Sequence, residues 1–253
     1  MAQMAQLIAT NEAGFAQQDF SASASYARTE LPAHVLRERD LNTAAHLIMD
    51  SDCNGVVVSG RSGISSYTID ILSRQKFEES GNFDQIGFLA TKLAEIVKLN
   101  NAKSWLAADT VDHISKDFIR IEDEIRAIAD TLSAISSNIH FRIYNGLTGL
   151  TSFHDDKKIV AVRTLAGPST LFLDNNDAWA GRNNHYSSAP DARLYSHDVS
   201  ELLIFRGAVL VNGIVVDGFS QGLIHKAPDY SGLDRIFFGV IGNPDVSKLR
   251  RNS

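Results

Sequence analysis

Two histidines, an aspartate and an arginine are the residues here whose types and spacing ask for a specific chemistry: His154-Xaa-Asp156, then His225, then Arg235 ten positions on. Two imidazoles and one carboxylate form a ligand set that holds an Fe(II) ion and leaves positions open on one face. A buried guanidinium nearby suits a ligand carrying two carboxylates. In an extended segment, side chains at i and i+2 share a face, so His154 and Asp156 can reach one metal while Asp155 points away as a bystander. The triplet alone says little, because a chain with 8 histidines and 30 acidic residues yields about one such triplet by chance. Its surroundings carry the inference.

The stretch from Phe141 to His154 reads as a strand, a turn marked by Gly146 and Gly149, and the start of a second strand. Residues 221–227 can be extended, and 234–242 read as a buried strand. A turn built on Pro228, Asp229, Ser231 and Gly232 joins them, so the pair is expected to form a hairpin. Such a hairpin would bring His225 and Arg235 to the same end of a barrel. Arg235 has a surface alternative, a salt bridge with Asp234 or Asp229. Its place in an apolar strand argues instead for burial against an anionic partner, since an unpaired buried guanidinium is costly.

These segments together resemble the Fe(II)/2-oxoglutarate-dependent oxygenases, in particular the prolyl 4-hydroxylase-like branch. Tyr144-Asn145-Gly146 leading to His154-Asp155-Asp156 is similar to that family's entry to its metal site. Ala166-Gly167-Pro168-Ser169-Thr170-Leu171-Phe172 stands where the family often has Gly-Gly-x-Thr-x-Phe, and His225 and Arg235 look like its distal histidine and its co-substrate arginine. The resemblance implies Fe(II) held by His154, Asp156 and His225, with 2-oxoglutarate bound through Arg235. It implies dioxygen as the oxidant, a small molecule, amino acid or peptide side chain as substrate, and hydroxylation as the usual outcome. One departure stands out. Phe237 occupies the position where the family frequently has a hydroxyl residue, so Tyr144 or Thr170 is the candidate for a second co-substrate contact.

The rest of the chain must position this constellation. At 253 residues, 44% hydrophobic and 21% charged, it has the composition of a soluble globular protein able to bury a sizeable core. A net charge of -6 argues against nucleic acid or an anionic membrane as partner. No apolar run is long enough to span a bilayer and no signal peptide is evident, so a cytoplasmic protein is expected. The lone Cys53 excludes an internal disulfide and reads as a structural thiol. Nothing in the sequence indicates an oligomeric state.

Residues 1–38, rich in Ala, Gln and Ser, are expected to be an N-terminal arm, with one domain over 39–253. Its half at 39–137 reads as helical. Asp40 to Asp50 has helix caps, Ile86, Leu89, Leu93 and Ile96 recur at helical spacing, and Phe118, Ile121, Ile125, Ile128, Leu132 and Ile135 step by three and four. Gly55 to Gly60 is a short strand closed by glycines. From 138 to 245 the period shifts toward two, with strands expected at 138–144, 157–166, 169–174, 201–206, 208–217, 221–227 and 234–242. Helices followed by seven or so short strands predict an α+β sandwich or barrel. The resemblance implies the same architecture, a double-stranded β-helix (jelly-roll) buttressed by N-terminal helices.

The polar stretch 174–198, with Trp179, His185 and Tyr186, is expected to be a lid over the site. Arg142, Asn145, Arg163 and the loop around Trp179 are candidate substrate contacts. His185 and His197 read as solvated loop residues, and His34, His46, His113 and His140 have no role. No nucleophile elbow, phosphate loop or dinucleotide fingerprint is present. Two other classes remain open: a cupin-like metal enzyme that needs no 2-oxoglutarate, and hence no Arg235, and a noncatalytic jelly-roll binding module.

Overall fold

A computed structural model of the chain describes residues 30–61, 63–74, 76–100, 108–146, 152–180, 185–228 and 235–251. Its first half comprises β1 (Val35–Glu38), α1 (Leu41–Leu47), β2 (Gly55–Val58), α2 (Ser66–Ser73), β3 (Phe77–Asn82), α3 (Leu89–Asn100) and α4 (Ala108–Ser133). Local chemistry sets these boundaries. Asp40 caps α1 by accepting the Thr43 amide at 2.7 Å, and Ser65 caps α2 by accepting the Thr68 amide. The Asp117 carboxylate on α4 then takes the Ser65 amide at 3.0 Å and the Thr68 hydroxyl at 2.6 Å, tying the start of α2 to the long helix.

The second half is strand-rich: β4 (Ser136–Asn145), β5 (Ile159–Ala166), β6 (Leu171–Leu173), β7 (Ala178–Ala180), β8 (Tyr186–Ser188), β9 (Leu194–Tyr195), β10 (Leu202–Arg206), β11 (Leu210–Val211), β12 (Ile214–Val215), β13 (His225–Lys226) and β14 (Ile236–Pro244). Seven strands form one sheet in the order β1-β2-β10-β5-β14-β4-β3, and a small sheet has the order β13-β6-β9. The fold is therefore mixed α and β around a large sheet.

Side-chain alternation gives the large sheet two apolar faces. One face, with Val56, Phe141, Ile143, Ala161, Ile204, Phe238 and Val240, packs on the helices, where Phe118, Ile121, Ile125, Ile128 and Leu132 of α4 are all buried. The other, with Val57, Val160, Val162, Leu203, Phe205 and Phe237, meets Phe172 of β6, Tyr195 of β9 and Leu223. The small sheet thus covers the face away from the helices. The chain crosses between the two repeatedly: β4 lies in the large sheet, His154 bridges to the small one, β5 returns, β6 and β9 go back, and β10, β13 and β14 alternate again.

Three expectations need correction. His225 and Arg235 do not lie on a hairpin: β13 pairs with β6, whereas β14 pairs with both β4 and β5 in the other sheet. The reason lies in β14 itself. Ile236, Phe237, Phe238 and Val240 are all buried, so the strand needs a neighbour on each edge and a layer on each face. Next, the segment expected as one strand at 208–217 is two dipeptide strands, β11 and β12, joined at Asn212 (φ 51°) and Gly213 (φ 81°). An Asn-Gly pair with both φ positive is the tight hairpin turn that matches strand twist. Finally, β1 falls inside the expected arm and pairs in parallel with β2, while residues 1–29 lie outside the described residues.

The buried stripe of α4 gives a direct test of this packing. Ile125→Ala is expected to cost about 2–5 kcal/mol in a denaturant titration. Ile119→Ala on the same helix, at a residue 53% exposed, is expected to change stability by no more than about 0.5 kcal/mol.

Candidate metal centre

His154 and His225 are held opposite each other by a reciprocal pair of backbone hydrogen bonds. The His154 amide donates to the His225 carbonyl at 2.9 Å, and the His225 amide donates to the His154 carbonyl at 3.0 Å. Residues so paired present their side chains on one face, and the two imidazole centroids are 4.3 Å apart. Each ring is also fixed in rotation. His154 Nδ1 lies 2.9 Å from the Ser152 carbonyl and His225 Nδ1 lies 3.0 Å from the Leu223 carbonyl, in both cases two residues back. A carbonyl only accepts, so Nδ1 carries the hydrogen and each Nε2 presents a lone pair, the tautomer a metal requires.

Asp156 completes the set. Its Oδ2 is 3.5 Å from His225 Nε2, and the donor atoms of His154, Asp156 and His225 all lie within 4.8 Å of one another. This fits a single divalent ion, whose bonds to such donors are about 2 Å. Burial holds His154 below the usual histidine value, with the neighbouring His225 adding to the effect. For Asp156 burial acts upward, but the His225 and His154 imidazoles close to its carboxylate outweigh it and keep the carboxyl below the usual range. His154 and Asp156 are therefore in ligand form at neutral pH, the first neutral and the second ionised. His225 is buried beside the Phe205 ring, at 4.4 Å between centroids, while the Asp156 side chain is 39% exposed and marks the open side.

Asp155 points away from the triad, as the i, i+2 rule requires, but it has a structural part of its own. Buried at 7% exposure, its carboxylate accepts the Ala208 amide at 3.1 Å and the Gly222 amide at 3.1 Å, and burial pushes its pKa up to about 6 against those bonds. Backbone crowds this spot. A Cβ on Gly207 would sit 0.9 Å from the Asp156 carbonyl oxygen, and one on Gly222 would sit 2.2 Å from the Gly207 Cα. Only glycine lets these three backbone segments meet.

The second cluster surrounds Arg235. It is 5% exposed, stacks on the Phe237 ring at 4.1 Å, and its Nη2 donates to Thr170 Oγ1 at 2.8 Å and Thr164 Oγ1 at 3.4 Å. Among the described residues no carboxylate pairs with it, and its Nε is buried without a partner. Asp229 and Asp234, the surface alternatives, lie outside the described residues. Burial pushes the pKa down to about 10, which leaves the guanidinium charged at neutral pH. Tyr144 is edge-on to Phe237 at 3.9 Å between centroids, and burial pushes its phenol up to about 12. Phe237 thus serves as a platform for the guanidinium at the position where the resemblance implies a hydroxyl residue. Thr164, which sequence reasoning missed, shares the face of Val160 and Val162 by strand alternation, and that was the signal for it.

Other candidates fall elsewhere. Arg163 is ion-paired with Glu124 of α4 on the helix-facing side of the sheet, and Asn145 donates to the Leu72 and Ser73 carbonyls at the end of α2 at 2.8 and 3.2 Å. Both are structural, so neither belongs with the substrate contacts. Arg142 pairs with Glu78 at 2.7 Å and lies over the Tyr144 ring. Cys53 is buried, its thiol pushed up to about 12. The 174–198 stretch carries the β7–β8 hairpin, with Trp179 54% exposed, and His185 bridges to His154 and meets the Ser152 hydroxyl at 2.8 Å. Residues 181–184 of that expected lid lie outside the described residues. His197 is a correction: expected to be solvated, it is 3% exposed, and burial pushes its pKa down to about 4. Its neighbours in sequence, Ser196 and Asp198, are polar, which hid its burial two residues beyond β9.

No family model and no curated protein matches this sequence. Among solved structures, the chain is similar to dioxygenase for auxin oxidation 1 from Arabidopsis thaliana in complex with 2-oxoglutarate, at 10% identity over 88% of this chain and 96% of that chain, with a TM-score of 0.40. It is also similar to the rice dioxygenase for auxin oxidation (9%, 85% and 83%, 0.40) and to a C-terminally truncated protein of Neurospora crassa in apo form (8%, 81% and 87%, 0.36). No helix among the described residues is long and apolar enough to cross a membrane.

Two measurements test the site's construction. Gly207→Ala is expected to abolish divalent-metal binding in equilibrium dialysis, or folding altogether by circular dichroism. Gly239→Ala, whose Cβ would meet only the Ala161 carbonyl at 3.8 Å, is expected to retain both. The second concerns His197, whose folded pKa of about 4 lies below its ordinary value of 6.5. The unfolded chain then binds more protons between those values, so stability falls as pH drops from about 6.5 to 4, by up to about 3 kcal/mol. His197→Gln is expected to remove that part of the slope in denaturant titrations across the window.

Proposed function

We propose that this chain is a non-haem Fe(II)- and 2-oxoglutarate-dependent dioxygenase that hydroxylates a small molecule, an amino acid or a peptide side chain. One observation carries the proposal: a two-histidine, one-carboxylate set with both Nε2 lone pairs free shares an inter-sheet core with a buried arginine that has no carboxylate partner among the described residues. Two nitrogens and one oxygen on one side of an ion are the donor set that leaves room for other ligands. A buried guanidinium with no carboxylate partner among the described residues calls for an anion. The alternation of β4, β5, β6, β9, β10, β13 and β14 between two facing sheets supports a double-stranded β-helix as the architecture.

In this reading His154, Asp156 and His225 hold the iron, and the Leu223 and Ser152 carbonyls keep the histidines in register. Arg235 receives the distal carboxylate of 2-oxoglutarate, with Thr170 steadying the guanidinium and Tyr144, a neutral phenol, beside it. Phe172, Phe205 and Phe237 exclude water from the space between the sheets, which strengthens the ion pair to the co-substrate. Bound iron would supply the activation of dioxygen that couples conversion of 2-oxoglutarate to succinate and carbon dioxide with oxidation of the substrate. The exposed side of Asp156 is where a substrate would approach, beneath the segment containing Trp179 and His185.

Protein loaded anaerobically with Fe(II) and then exposed to air is expected to convert 2-oxoglutarate to succinate, slowly if no substrate is present. His154→Ala and Asp156→Ala are expected to abolish this, and Arg235→Met to raise the KM for 2-oxoglutarate by at least about tenfold, the worth of a charge-assisted contact. Metal-dependent activity indifferent to 2-oxoglutarate would favour a cupin-like enzyme. Absence of metal binding would favour a noncatalytic module.

A further inference from the structure

The candidate ligands belong to a longer row of rings. Direct cross-strand pairing runs from His185 to His154, from His154 to His225, from His225 to Phe172 and from Phe172 to Tyr195. Residues paired in this way point to one face, so the five side chains line the side of the small sheet that holds the metal ligands. One end of the row is closed, because Phe172 and Tyr195 are buried and stack at 6.0 Å between centroids. The other end, at His185, is partly exposed, and Asp156, two residues along from the neighbouring His154, has a side chain 39% exposed.

Direct contacts fix His185 at that end. The Tyr186 amide donates to the Phe153 carbonyl at 2.8 Å, which makes His185 and His154 the closer kind of antiparallel pair, with Cα atoms about 4.5 Å apart. The Ser152 hydroxyl lies 2.8 Å from His185 Nδ1 and leaves Nε2 as the nitrogen available to a ligand. A hydroxyl can donate or accept, unlike the carbonyls that hold His154 and His225 in one tautomer, so Nε2 of His185 is free to accept a hydrogen bond or to donate one. The same face continues along β8. Ser187 lies two residues beyond His185 and pairs across the hairpin with Trp179, so the indole, 54% exposed, shares the face of the imidazole about 7 Å further along the strand. Ala178 and Tyr186 take the opposite face, where they pack with Phe153, Leu173 and Ile224. Residues 178–180 and 185–188 contain no Lys, Arg, Asp or Glu.

We propose that His185 and Trp179 form the substrate subsite of this centre and that it takes a neutral, flat ring bearing a hydroxyl. The ring lies against the indole, and the hydroxyl shares a hydrogen bond with His185 Nε2, which sets the substrate beside the metal ligands. This rests on the dioxygenase reading above for the reaction, while the subsite itself requires only the bound metal. A face without charged side chains offers no compensation for desolvating an ion, whereas an indole favours another flat ring. A hydroxyl both donates and accepts, so it matches an imidazole whose tautomer is not locked.

The test uses 2-naphthol, naphthalene, which lacks the hydroxyl, and decahydro-2-naphthol, which lacks the flat ring. Each is titrated onto protein loaded with Mn(II), with and without 2-oxoglutarate, and paramagnetic relaxation of its protons reports binding close to the ion. Wild type is expected to bind 2-naphthol about fivefold more tightly than either other probe, the worth of one neutral hydrogen bond or one aromatic contact. His185→Leu is expected to erase the preference over naphthalene and keep that over decahydro-2-naphthol, and Trp179→Ala to do the reverse. His185→Gln, which can donate or accept, is expected to restore the preference over naphthalene. Absence of relaxation of 2-naphthol in the wild type overturns the proposal, as does equal weakening of all three probes in His185→Leu, which marks a packing role; either result leaves the dioxygenase reading standing where 2-oxoglutarate binds. A wild-type protein that binds Mn(II) but not 2-oxoglutarate overturns the dioxygenase reading, and the probe preferences then decide the subsite by themselves. Failure to bind Mn(II) overturns both.

Discussion

The candidate metal centre depends on one local constraint, the two-way backbone pairing of His154 with His225. Without it the histidines belong to distant segments with no reason to share a face; with it their rings are opposed and each is locked by a carbonyl two residues back. The pairing can form only because the Asp155 carboxylate draws in the Ala208 and Gly222 amides and because Gly207 and Gly222 carry no side chain. A buried carboxylate satisfied by backbone amides is a costly element to build. Here it replaces what a longer strand would otherwise supply, since β13 is only two residues long.

The two faces of the large sheet divide the labour. The helix-facing side is packed with aliphatic and phenyl side chains and crossed by the Arg163–Glu124 ion pair, an arrangement that gives rigidity and no access. The opposite side carries aromatic rings, Phe205, Phe237 and Tyr144, each against a charged or ligating group: Phe205 beside His225, Phe237 under Arg235, Tyr144 under Arg142. Rings suit that position because they exclude water and still tolerate a cation on their faces. Strand alternation places one chemistry behind each sheet residue and the other in front.

Much of this was legible in the residues. The 3.6-residue stripe of α4 and the Asp40 cap were written locally, as were the central strands β4, β5, β10 and β14, and His154, Asp156 and His225 do converge. What was hidden is non-local. Sequence proximity suggested a hairpin between His225 and Arg235, but only the demand of β14 for two neighbours reveals that the strands lie in different sheets. Arg163 and Asn145 looked available because a polar side chain in a strand gives no sign of which face it takes until the register is known. His197 sits among loop residues, and its burial follows from where β9 delivers it. Edge strands β1 and β3 were invisible because half-buried, polar-rich edges resemble loops.

The crossing of the chain between β13 and β14 has a mechanical meaning. His225 is on one wall of the sandwich and Arg235 on the other, so the two groups approach or separate as the walls do. A molecule gripping both would act as a rivet, and closeness of the walls and occupancy of the cleft become a single equilibrium. By mass action, resistance to unfolding would then rise with the logarithm of the concentration of that molecule. Spacing between the sheets would in this sense be a variable set by supply of such a molecule.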